Sequence, residues 1–82
     1  MVTRIAPNLF DEFRAARVIG KAFRRDEENK YKEAALLYEN VLNISTSGTC
    51  AETAAKRLGE LYEYGFGVEK DLDKAEEYYL IA

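Results

Sequence analysis

The sequence predicts an all-α protein of two stacked helical hairpins, four helices in all. Three observations predict it. The first is an internal repeat: residues 54–79, AAKRLGELYEYGFGVEKDLDKAEEYY, have a worn counterpart in residues 15–38, AARVIGKAFRRDEENKYKEAALLY. Ala15, Ala16, Ile19, Gly20 and Phe23 align with Ala54, Ala55, Leu58, Gly59 and Tyr62 at an offset of 39 residues. Tyr31, Ala34 and Tyr38 align with Leu72, Ala75 and Tyr79 at 41. A period near 40 suits one helical pair per repeat, each burying its apolar face on the next. The second is composition: Leu, Ala, Glu, Lys and Arg dominate, and Pro7 is the only proline. The third is apolar spacing at helical period, interrupted by short turn signals.

The first helix is expected to start at Asn8, an N-cap, with Asp11 and Glu12 complementing the positive end of the helix. Its stripe is Leu9, Phe10, Phe13, Ala16, Ile19, Ala22 and Phe23, and it ends in the charged stretch Arg25 to Asn29. The second runs from about Lys30 to Ile44, with Tyr31, Ala34, Ala35, Tyr38, Val41 and Leu42 on one side. Ser45-Thr46-Ser47-Gly48 is the clearest break. Thr49 and Glu52 have the spacing of a capping box opening the third helix, which reaches about Tyr64. Gly65-Phe66-Gly67-Val68 is a turn whose glycines can take positive φ. Asp71 is the expected N-cap of the fourth helix, which uses Leu72, Ala75, Tyr78, Tyr79 and Ile81 as its apolar positions. Gly20 and Gly59 lie mid-helix, where glycine costs about 1 kcal/mol relative to alanine. Their equivalent places predict close helix approach, with Tyr38 and Tyr79 covering the two joins.

At 82 residues the chain is long enough for one domain, residues 1–82. A net charge of −3 gives no global basic character for nucleic acid. No apolar run approaches the length that spans a membrane. The single cysteine, Cys50, and an N-terminal stretch without a secretory apolar region favour the cytoplasm. With no histidine, the usual general base and neutral metal ligand are missing, and Cys50 has no base to activate it. The start of helix three is expected to lower the Cys50 pKa somewhat through the helix dipole. The carboxylates read as solvated charge on exposed faces. No catalytic residues, cofactor or metal site are predicted, and the chain is not expected to be an enzyme.

Residues 54–79 resemble a Sel-one-like repeat, a relative of the tetratricopeptide repeat. Ala54, Leu58, Gly59, Tyr62, Gly65, Gly67, Val68, Asp71, Lys74, Ala75, Tyr78 and Tyr79 meet the family pattern. The first unit lacks the G-x-G-V turn and is similar to a tetratricopeptide unit at Ile19, Gly20, Phe23, Asn29, Tyr31, Ala34 and Tyr38. The resemblance assigns residues 15–44 to a divergent tetratricopeptide-like repeat and 50–82 to a Sel-one-like repeat. It implies a right-handed stack of two antiparallel hairpins, a solenoid fragment that binds proteins on its concave face.

One charge pattern bears on binding. Arg14, Arg17, Lys21 and Arg24 share one helix face at spacings of three and four. By resemblance these positions line the concave groove, together with their second-repeat equivalents Thr53, Lys56, Glu60 and Glu63. The groove would then begin basic and turn mixed, suiting a protein or peptide with an acidic segment. The competing reading of the stripe is a solvated face. The expected function is an interaction scaffold or adaptor. The alternatives are a capping or self-associating fragment of a longer repeat protein, or a non-catalytic accessory subunit of an enzyme complex. The apolar run Tyr78, Tyr79, Leu80 and Ile81 motivates self-association.

Overall fold

The structure, a computed structural model, describes residues 9–82. It is all-helical over that span: α1 is Leu9–Glu27, α2 is Tyr31–Ile44, α3 is Thr49–Tyr64 and α4 is Leu72–Ile81. The expected Asn8 cap lies outside the described residues. Packing joins α1 to α2, α3 to α4, and α2 to α3, and α1 also touches α3. The backbone of α4 approaches only α3. The resulting slab measures 45 × 26 × 14 Å.

The core is built on alanine. Ala15, Ala22, Ala34, Ala35, Ala51, Ala54, Ala55 and Ala75 are buried, and the larger fillers are Ile19, Tyr38, Val41, Leu58 and Leu61. Small side chains at helix contacts let the backbones approach closely, so a few large residues suffice to fill the space. At the edge the apolar expectation fails. Among the described residues, Leu9 and Phe13 in α1 and Leu72 in α4 are exposed.

The turns have distinct chemistry. After α1, Asn29 takes φ 61°, and the Lys30 N–H donates to the Arg25 carbonyl at 2.8 Å. Asparagine tolerates this left-handed conformation better than other non-glycine residues. Before α3 the expected capping box is absent. Gly48 is the N-cap at φ 99°, Thr49 is already helical, and no side chain caps the end. Gly48 takes the position because the backbone needs a positive φ there, and the flexible Glu12 carboxylate lies beside it. After α3, Gly65 closes the helix in the left-handed region, with the Phe66 N–H bonded to the Leu61 carbonyl at 2.9 Å. Asp71 caps α4 as expected, accepting the Lys74 N–H at 3.0 Å.

The two mid-helix glycines part company. Gly59 is buried, and a Cβ there would stand 2.5 Å from Cε1 of Tyr79, whose ring lies across the glycine. A Cβ on Gly20 would meet nothing within 4 Å. The packing role expected of Gly20 is therefore wrong. Tyr38 turns away from it, setting its ring edge-on to Phe23 at 6.2 Å and its hydroxyl on Asp26.

Candidate functional site

Arg14, Arg17 and Lys21 line one cleft, as the helical spacing of the stripe requires. The remaining wall is Val18 from α1 with Asn40 and Ile44 from α2. Arg14 is tied to Asp11 at 3.3 Å, an exposed pair one turn away. Arg17, Lys21 and Arg24 are exposed and hold no ion pair among the described residues. Arg24 continues the stripe without lining the cleft. Arg17 and Lys21 thus place unpaired positive charge beside the apolar Val18 and Ile44.

The second half of the expected groove is elsewhere. Thr53, Lys56, Glu60 and Glu63 lie on α3, whereas the wall facing the basic cleft is α2. Glu60 is bonded to Arg57 at 3.2 Å, and Glu63 accepts the Tyr79 hydroxyl at 2.6 Å. Of the eight residues expected in one groove, Arg14, Arg17 and Lys21 line this cleft, and Arg24, Thr53, Lys56, Glu60 and Glu63 do not.

Two carboxylates expected to be solvated are structural instead. Asp26, near the end of α1, takes both Nε and Nη2 of Arg57 in α3, at 2.7 and 2.8 Å, and the Tyr38 hydroxyl of α2 at 2.8 Å. One carboxylate therefore joins three helices, and the Arg57 bonds hold its pKa below the ordinary value. Burial, then the Asp26 bond, pushes the Tyr38 phenol up. Glu39 of α2 accepts the hydroxyls of Tyr62 and Tyr78, both at 3.2 Å. Those two rings stack at 5.6 Å, and Lys74 Nζ sits 5.1 Å above Tyr62. Burial is the first cause of the raised pKa values of both phenols. No local motif marks these pairs, since Asp26 and Arg57 are 31 residues apart and Glu39 and Tyr78 are 39 apart.

Cys50 also departs from expectation. Burial, reinforced by the Glu12 carboxylate, raises its pKa, so the thiolate is disfavoured. The G-x-G-V turn is fixed by contact: a Cβ on Gly67 would collide with the backbone of Tyr31 and Lys32. Phe66 stacks on Tyr31 at 5.3 Å and on Tyr64 at 5.7 Å. The turn thereby ties the second hairpin to the start of α2. Among the described residues, no group of three or more His, Cys, Asp or Glu side chains is placed to hold a metal, and no helix is long and apolar enough to cross a membrane.

No family model matches the chain, and neither the curated proteins nor the solved structures include a detectable relative.

Proposed function

We propose that this chain is a protein-interaction scaffold of two tetratricopeptide-like and Sel-one-like repeats in a right-handed stack, and that its α1–α2 cleft takes an acidic segment of a partner. One observation carries the reading: Arg17 and Lys21 converge with Arg14 on a cleft while holding no internal counter-ion. Arginine suits such a role because its fork bonds a carboxylate through two parallel N–H groups. Ile44 and Val18 add an apolar surface for the aliphatic part of the same segment. The repeat architecture is supported by the glycine turn against α2 and by the carboxylate joints that tie α3 to α1 and to α2.

Affinity on such an open surface comes mainly from preorganisation, since exposed ion pairs contribute about 0–1 kcal/mol each and weaken with salt. Labelled polyglutamate is the probe, titrated into wild type and an Arg17→Glu, Lys21→Glu variant at low and moderate salt. The wild type is expected to bind about tenfold more tightly at low salt, with the advantage shrinking as salt rises. Equal affinities would return the stripe to a solvated face.

A further inference from the structure

The outer surface of α4 is the electrostatic counterpart of the α1 stripe. Asp73, Glu76, Glu77 and Leu80 recur at helical spacing on one face, and all four are exposed, Leu80 at 80 %. None of the three carboxylates is in an ion pair among the described residues. The lysine of the same helix, Lys74, is held over the Tyr62 ring instead. The stripe on α1 bears four cations and no acid at its own positions. The acidic face runs seven helical steps from Asp73 to Leu80, about 10 Å, and so fits within the ten steps, about 15 Å, from Arg14 to Arg24. The backbone of α4 approaches α3 and not α1, so the acidic face does not reach α1 of its own chain.

We propose that a second copy of this chain is a partner for the basic stripe, its α4 docking head-to-tail on α1, with Leu80 directed at Val18 and Ile44 of the cleft. The proposal rests on the reading of the cleft as an acidic-segment site. The two surfaces differ, so the contact is heterologous and each added copy presents a fresh basic stripe and a fresh acidic face. Unlike charges steer the encounter and set its orientation, and Leu80 supplies the apolar contact.

Sedimentation velocity over a concentration series at low salt tests it. The wild type is expected to gain mass with concentration and to lose it at moderate salt. The Arg17→Glu, Lys21→Glu variant and a Glu76→Lys, Glu77→Lys variant are each expected to stay monomeric, with association weakened about tenfold or more. Mixed in equal amounts they should associate again, because each reversed face then meets a complementary one. Circular dichroism verifies that both variants keep their helices, and these exposed positions lie outside the core. A wild type that stays monomeric throughout overturns the proposal. So does association that mixing fails to restore. A monomeric wild type that still binds polyglutamate in a salt-sensitive way sinks only the self-association, whereas copies that associate without binding polyglutamate sink the general acidic-segment reading.

Discussion

Alanine placed at Gly20 and at Gly59 should have opposite consequences, although the repeat aligns the two glycines. In a helix interior Gly→Ala is worth about 1 kcal/mol in propensity at either site. At Gly20 the new methyl meets nothing within 4 Å, so the full gain is expected. For a domain of this size that raises Tm by about 4–8 °C. At Gly59 the methyl would lie 2.5, 2.7 and 2.9 Å from three atoms of the Tyr79 ring. The ring must swing aside. It then loses its 2.6 Å bond to Glu63, worth about 1 kcal/mol, and part of its packing, about another 1 kcal/mol. Gly59→Ala should therefore be net destabilising by about 1 kcal/mol, placing the two variants about 2 kcal/mol apart. Urea denaturation measures both. Removing the ring first, with Tyr79→Ala, should restore the ordinary gain to Gly59→Ala and expose a coupling of about 2 kcal/mol. If Gly59→Ala stabilises the wild type as much as Gly20→Ala does, Tyr79 does not lie on Gly59 and the packing of α4 on α3 is wrong.

Gly67→Ala should cost about 2 kcal/mol or more, because φ is +74° and the methyl meets the Tyr31 and Lys32 backbone; thermal melting is the check, and an unchanged Tm would detach this turn from α2. Asp26→Asn should lose about 1–3 kcal/mol near neutral pH by weakening the Arg57 and Tyr38 bonds. The folded pKa of Asp26 is depressed, so its contribution is present above the unfolded value near 3.8 and is lost as pH falls through the folded value. The acid limb of stability against pH should accordingly be shallower in Asp26→Asn. Tyrosine ionisation gives the alkaline counterpart. The bond to Glu63 pushes Tyr79 up to about 12, and Tyr38, Tyr62 and Tyr78 are also raised above 10.0. The stability linked to these phenols is complete below pH 10 and declines as pH rises through their folded values. Ultraviolet titration should show a late phenolate phase near pH 12 that disappears in Tyr79→Phe. Glu39→Ala should cost about 1–2 kcal/mol by removing the acceptor of two hydroxyls, and should bring the Tyr62 and Tyr78 titrations to lower pH.

Helix, turn and cap are local properties, and the chain determines most of them by itself. The 3.6-residue apolar period, the Ser45–Gly48 break, the Gly65 and Gly67 turn and the Asp71 cap were legible because each depends on residues a few positions apart. So was the cation stripe, since residues three and four apart on a helix are neighbours whatever the helix packs against. The wall opposite the stripe was not legible. Whether Arg17 and Lys21 face α2 or α3 depends on the rotation of α1 about its axis, which the packing of Ala15, Ile19 and Ala22 decides. Gly48, not Thr49, is the cap because the chain turns there through φ +99°, a conformation the tertiary path sets and glycine adopts without strain. Asp26, Arg57 and Glu39 resemble every other surface charge in the sequence, and only the meeting of three helices turns them into joints. Gly20 and Gly59 are the plainest case. Their sequence surroundings match, yet one is covered by an aromatic ring and the other is bare, because the chain can specify a missing side chain but only the neighbouring helix decides whether the space is used.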